Sequence, residues 1–187
     1  LYEENDETFF LWLTQSHSKA YVMAFLHSTV TDEWVYLPND GVTDEFKVFQ
    51  PRIRGVEYQV EHAGDRFYVI TNEDAQNFKL MQTPLDKTTK DNWTEVIPHR
   101  ADTLITGMDA FADFLVLYER KGGFRQIRIS ATDALSGVHY VPFPEPVYNI
   151  LPMRNPEYTT DLLRFTYTSL VTPKSVIDYD VQKQMWT

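Results

Sequence analysis

Short apolar and aromatic runs recur along the chain, each about five residues long and bounded by Gly, Asn, Asp or Pro. They are too short for helices and rich in the β-branched and ring side chains that suit a pleated, half-buried surface. Four sets share one layout: a strand, a polar turn, a second strand, a gap, then a strand carrying an aromatic residue. The first set places strands at 9–13, 21–26 and 33–37. The second places them at 67–70, 78–81 and 93–97, the third at 114–118, 126–129 and 138–141, and the fourth at 163–167, 176–179 and 184–186.

Set starts at Phe9, Phe67, Phe114 and Leu163 lie 58, 47 and 49 residues apart by subtraction of positions. The step from set start to late aromatic is 25 to Trp34, 26 to Trp93, 26 to Tyr140 and 23 to Trp186. A near-constant internal step with a variable outer loop marks one supersecondary module repeated. A further strand precedes three of the sets, at 56–60, 103–108 and 147–151, and Leu1-Tyr2-Glu3 stands in its place before the first. Four strands per module make the blade of a β-propeller.

The predicted fold class is therefore all-β: about four four-stranded antiparallel sheets, with approximate blades at 1–40, 44–98, 102–143 and 146–187. A β-sandwich also gives short strands with regular turns, but it does not predict a four-strand module returning about every fifty residues. A short helix competes only over 103–118, where Gly107 and the Asp109/Asp113 spacing favour strand–turn–strand. All 10 prolines fall in loops, turns or strand ends, where a missing N–H is tolerated.

Composition narrows the function classes. The chain has 187 residues, 43% of them hydrophobic and 24% charged, enough apolar content for a packed core. Its net charge of −10 argues against nucleic acid, whose phosphates it would repel, and Arg52-Ile53-Arg54 is too short for a basic patch. No apolar run approaches the ~20 residues of a membrane helix, so no membrane partner is expected. With no Cys, disulfides and thiolate metal sites are excluded. The chain starts at Leu1 rather than Met, so an excised segment is expected and the native address is out of view.

Candidate chemistry is sparse. There is no Gly-x-Ser-x-Gly nucleophile elbow, P-loop or dinucleotide fingerprint. His17, His27, His62, His99 and His139 show no ligand spacing, and each is expected in a turn or on an exposed strand face. Carboxylate pairs at Glu3-Glu4, Asp32-Glu33, Asp44-Glu45 and Glu73-Asp74 read as solvated strand ends and turns rather than catalytic pairs. Asn92-Trp93-Thr94 matches the glycosylation sequon, a triplet common by chance. Trp34, Trp93, Tyr140 and Trp186 recur at one place per set, which points to packing between sheets rather than ligand stacking. The expected catalytic, cofactor-binding and metal-binding residues are none, and no cofactor is expected.

Several segments resemble the oligopeptidase B (protease II) branch of the prolyl oligopeptidase family of serine peptidases. They are Tyr167-Thr168-Ser169-Leu170-Val171-Thr172-Pro173 running into Val176-Ile177-Asp178-Tyr179-Asp180, and Asn77-Phe78-Lys79-Leu80. To these are added Pro98-His99-Arg100 with Leu104-Ile105-Thr106-Gly107, the run Phe114-Leu115-Val116-Leu117-Tyr118-Glu119-Arg120, and the opening Leu1-Tyr2-Glu3-Glu4-Asn5-Asp6. The resemblance covers nearly the whole chain in consistent order.

It implies a seven-bladed propeller capping an α/β-hydrolase domain that bears a Ser-Asp-His triad and cuts oligopeptides after Arg or Lys. This chain would be later blades of that propeller: non-catalytic, inactive alone, gating substrate access. Its partners would be its own hydrolase domain and oligopeptide substrates, with self-association through cut blade faces as a further expectation. A cytoplasmic location is expected, with a periplasmic one open. The competing readings are a stand-alone propeller scaffold binding a protein partner, and a glycan-active propeller with carboxylates converging at a central funnel.

Overall fold

A computed structural model describes residues 2–132 and 135–186. The chain divides into two compact units, Leu1–Ala101 and Asp102–Thr187. Each unit holds two four-stranded antiparallel sheets whose strands run in chain order. In the first unit these are β1 (Phe10–Gln15), β2 (Tyr21–His27), β3 (Asp32–Pro38) and β4 (Lys47–Val48), then β5 (Tyr58–Ala63), β6 (Arg66–Thr71), β7 (Lys79–Pro84) and β8 (Thr94–Ile97). In the second unit they are β9 (Thr103–Ala110), β10 (Phe114–Lys121), β11 (Phe124–Ala131) and β12 (His139–Tyr140), then β13 (Tyr148–Pro152), β14 (Leu162–Ser169), β15 (Ser175–Asp180) and β16 (Met185–Trp186). The only helical turn among the described residues is a 3-10 turn at Lys90–Asn92. The stretch 103–118 is strand–turn–strand, as its glycine and aspartates suggest.

The first sheet departs from the sequence reading by one strand. Phe10–Gln15 is its first strand, not its second, and its fourth is the two-residue Lys47–Val48 pairing with β3. The first sheet therefore runs past the boundary expected at 40–44. The physical reason is that β4 is only two residues long and exposed, and the short Phe46-Lys47-Val48-Phe49 run around it follows a polar stretch at 39–45 that reads as a loop. Trp34 lies on the third strand, and the buried aromatic beside the fourth is Phe49. The Phe49 N–H donates to the Trp34 carbonyl at 2.8 Å, just as the Val141 N–H after β12 donates to Ile127 at 3.0 Å. Aligned this way, the second strands start at Tyr21, Arg66, Phe114 and Leu162, which subtract to 45, 48 and 48 residues. The period is tighter than the sequence reading.

Leu1 lies outside the described residues, and Tyr2 and Glu3 form no strand. Tyr2 and Phe9 pack with Phe46 on Ala24, Leu26 and Val35, covering the face of the first sheet turned away from the second. Arg52 holds this segment: its guanidinium lies 3.8 Å from the Phe9 ring centroid and is bound to Glu4 and, at 3.1 Å, to Glu33.

Turn chemistry sets the hairpins. Lys121 pairs with Phe124 across Gly122-Gly123, which take φ of 58° and 88°. Two successive positive φ values are what a two-residue primed turn demands, and glycine supplies them without steric cost.

The cores lie between paired sheets. In the first unit Met23, Tyr36 and Phe49 meet Tyr58, Val60, Phe67 and Val69. In the second, Val116, Tyr118 and Ile129 meet Ile150, Leu163, Phe165 and Tyr167. Phe49 and Phe67 cross edge to face with centroids 5.2 Å apart, a geometry favoured by the ring quadrupoles. The central strands β6 and β10 bury successive residues on both faces, so their sequences read as unbroken apolar runs. By contrast β14 alternates, with Leu163, Phe165 and Tyr167 inward and Leu162 and Arg164 exposed.

Tyr58 ties the first two sheets together by hydrogen bonds. Its hydroxyl donates to the Gln50 carbonyl at 2.8 Å and accepts from the Trp34 N–H at 3.0 Å, while its own N–H donates to Asp32 Oδ2 at 3.0 Å. The Trp34 indole returns a bond to the Tyr58 carbonyl at 2.9 Å. At 1% exposure the tyrosine has no water to substitute for these partners. Tyr58→Phe should therefore lower stability by about 1–3 kcal/mol, the cost of orphaning buried polar groups. Urea unfolding of the two proteins measures it, and an unchanged midpoint would remove Tyr58 from this role.

Candidate functional site

Alternating side chains place the polar residues of each sheet in three kinds of site: between paired sheets, at strand ends, and in turns. The structure brings none of the sequence-identified candidates into a catalytic constellation among the described residues, and it buries several expected to be solvated.

Asp32 and Glu33 are the clearest case. They open β3 at 5% and 7% exposure rather than standing in solvent. Asp32 accepts from Tyr58 N–H and shares a 2.6 Å hydrogen bond with His27 Nδ1. Burial pushes the Asp32 carboxyl above its ordinary range, against the opposing pull of His27 and the Tyr58 N–H. Glu33 takes the Arg52 Nε at 3.1 Å and the Arg52 N–H at 3.2 Å. Sequence reasoning placed both carboxylates in solvent because it could not see that the 49–57 loop folds back over them. The other pairs differ: Glu4 reaches Arg52, Glu73 meets Lys90 Nζ at 2.5 Å, and Asp44 and Glu45 are exposed.

The histidines separate the same way. His99 is exposed in a loop, and His139 on β12 faces the Gly137 carbonyl at 3.2 Å. His62, however, is 7% exposed on β5, contrary to the expectation of an exposed face. Its Nδ1 lies 2.7 Å from Ser18 Oγ, and the Tyr21 ring crosses it edge-on at 4.9 Å. This Ser–His pair is a turn staple: Ser18 Oγ also accepts from the Ala20 N–H at 3.3 Å and lies 2.9 Å from Ser16 Oγ. Glu61 completes it by accepting from the His17 and His62 N–H groups at 3.0 and 2.9 Å. A nucleophile needs an oriented base and an oxyanion hole facing a substrate cavity, and this pair lines neither the cleft beside Arg66 nor the one beside Arg164.

Those clefts are shallow. One, of about 430 Å³, is lined by Arg66, Gln82, Thr83 and Lys87 among others. The Arg66 guanidinium is already engaged by Asp65 at 2.8 Å and Gln82 at 3.0 Å. The other, of about 210 Å³, contains Arg154, Asn155 and Arg164, the last forked onto Asp178 by two 2.6 Å bonds. No group of three or more His, Asp or Glu among the described residues converges to hold a metal ion.

Of the recurrent aromatics, Trp93 is buried and donates its indole N–H to the Thr88 carbonyl at 2.7 Å, a packing role. Trp186 is half-buried against Phe165 and Tyr167. Tyr140 departs from the expectation, being 44% exposed with its hydroxyl donating to Glu119 at 3.1 Å. Asn92 of the sequon is tied to Thr89 by its amide at 3.0 Å.

Comparison with known proteins supplies what the site chemistry does not. The family model for the prolyl oligopeptidase N-terminal β-propeller domain matches residues 1–187. The chain belongs to the prolyl oligopeptidase family. Among curated relatives, dipeptidyl aminopeptidase BI of Pseudoxanthomonas mexicana is 35% identical over 97% of this chain and 25% of its own length. Protease 2 of Moraxella lacunata is 29% identical over 97% of this chain and 26% of its own. Among solved structures, oligopeptidase B from Trypanosoma brucei, with covalently bound antipain in a closed form, superposes with a TM-score of 0.91 at 26% identity. That match covers all of this chain and 28% of the other. The chain thus spans about a quarter of the length of these prolyl oligopeptidase family relatives. The four sheets are a partial β-propeller of that family.

Sequence reasoning missed Tyr58, Arg52 and Glu145 as organising residues. Nothing in the alternating Val56-Glu57-Tyr58-Gln59-Val60 marks the tyrosine hydroxyl as a bridge between sheets. Prolines on both sides of Glu145 were the one available sign that its loop is held in place.

The buried imidazole gives a pH signature. Burial pushes His62 below its ordinary value of 6.5. Between the folded-state value and 6.5, the unfolded chain binds more protons, so stability is full above 6.5 and falls as pH drops through it. His62→Gln should flatten the urea midpoint between pH 7 and pH 5 relative to the parent. Parallel profiles for the two proteins would show that His62 carries no such linkage.

Proposed function

We propose that this chain is the non-catalytic propeller portion of a serine oligopeptidase that cleaves peptides after Arg or Lys. In this reading the sheets form a rigid wall that admits short peptides to a separate α/β-hydrolase domain and turns folded proteins away. The supporting observation is the likeness, over all of this chain and 28% of the other, to an oligopeptidase B with covalently bound antipain in a closed form, at a TM-score of 0.91 and 26% identity. The sequence resemblance through residues 167–180 points the same way. Rigidity suits a size filter, and strands such as β6 and β10, buried on both faces, are among the least yielding elements of a fold.

The serine chemistry belongs to the rest of the protein: a base-activated nucleophile with donors for the oxyanion. The acidic balance of −10 is compatible with cationic substrates. A second reading is favoured by the 35% identity to a dipeptidyl aminopeptidase, whose name implies release of dipeptides from a free N-terminus.

One experiment separates them. The full-length protein is assayed on an N-blocked arginyl amide, its neutral counterpart, and a dipeptidyl amide with a free amine. Oligopeptidase B-like action predicts cleavage of the blocked arginyl substrate at least about a hundredfold faster than the neutral one, because an acidic pocket left unpaired is costly. Cleavage confined to the free-amine substrate would transfer the assignment to the dipeptidyl reading, and no cleavage of any would overturn both.

A further inference from the structure

The turn joining β14 to β15 carries the most exposed large apolar side chain among the described residues. Leu170 is 91% exposed and the adjacent Val171 is 79% exposed. Single exposed apolar residues are ordinary on protein surfaces. Two in succession at the tip of one turn are not what turn chemistry selects, since such positions favour Asn, Asp, Gly and Ser.

The turn is also held with more bonds than it needs. The Ser169 N–H donates to the Thr172 carbonyl at 3.0 Å. Ser169 Oγ accepts from the Val171 and Thr172 N–H groups at 3.1 and 2.9 Å. Thr168 Oγ1 donates to the Thr172 carbonyl at 3.1 Å. From the neighbouring 141–147 loop, Glu145 braces it by accepting from Thr172 Oγ1 at 2.7 Å and from the Tyr167 hydroxyl. Phe143 lies nearly parallel to the Tyr167 ring, 5.7 Å away, and Pro144, Pro146 and Pro173 stiffen the backbone on both sides.

The geometry points to a preorganised docking tooth: Leu170 and Val171 insert into an apolar recess of the catalytic hydrolase domain carried by the same polypeptide. This rests on the function proposed above. Three observations favour that occupant. The matched segment is only 25–28% of the relatives' chains, so most of each relative lies outside it. Residues 166–173 carry no charge in a chain of net charge −10, so the turn's own side chains bring no ion into an apolar recess. A bracing network fixes the turn before contact, which removes the ordering cost of association.

The test uses the full-length protein. Carbene footprinting read by mass spectrometry should find Leu170 and Val171 strongly protected, compared with the same peptide in the unfolded protein. The double variant Leu170→Ser/Val171→Ser should shift the closed-to-open domain equilibrium by about tenfold or more, as expected for two apolar side chains left unburied. Limited proteolysis of the inter-domain segment and small-angle scattering read that shift, while the propeller's thermal midpoint stays unchanged. Labelling near the unfolded rate, or a double variant whose domains separate no faster than the parent's, overturns the proposal. Protection lost on dilution would put a second copy of the chain on the turn instead and overturns it equally. A full-length chain without a hydrolase domain would defeat the proposed function itself, a failure visible before any footprint is taken.

Discussion

A four-stranded antiparallel sheet can hydrogen-bond its interior strands by itself, but it cannot cover its own faces. Everything in this chain follows from the need of each sheet to find an apolar lid in another. In both units the lid is a second sheet, and large rings carry the contact: Tyr36, Phe49 and Phe67 in the first, Phe165, Tyr167 and Phe143 in the second. Ring pairs of this kind add stabilisation of about 0.5–1.5 kcal/mol each beyond the area they bury. They also fix the spacing between sheets, because a smaller side chain would leave a void that the backbone cannot close.

Burying two sheets against each other strands polar groups that would otherwise meet water, and the structure answers several of them with a partner. Tyr58 bridges Gln50, Trp34 and Asp32 across the first pair of sheets. Arg52 collects Glu4 and Glu33, and so clamps the segment before β1 over an otherwise bare face. Glu145 plays the same part in the second unit by holding Thr172 and Tyr167. These carboxylates and hydroxyls look like candidate chemistry in the sequence. In the fold their bonding capacity is spent on architecture.

The module was legible because the central strands, buried on both faces, leave unbroken apolar runs such as Phe67-Tyr68-Val69-Ile70 and Phe114-Leu115-Val116-Leu117-Tyr118. Where a strand is short and exposed the signal vanishes, and Lys47–Val48 was missed for that reason. The miss displaced the whole first set by one strand, so the 25-residue step from Phe9 to Trp34 matched the other sets by coincidence. Aligned on the second strands, the repeat is more regular than the aromatic steps suggested.

What the sequence determined by itself was the strand content, the repeating module and the family, because these depend on local side-chain patterning and on residues adjacent in the chain. Only the tertiary structure decided which acids are buried, that His62 lies under Tyr21, and that Leu170 and Val171 stand out from a braced turn. Those facts are set by partners far away in sequence, such as Asp32 with Tyr58 or Thr172 with Glu145. A one-dimensional pattern records the character of each side chain. It does not record which loop folds back to cover it.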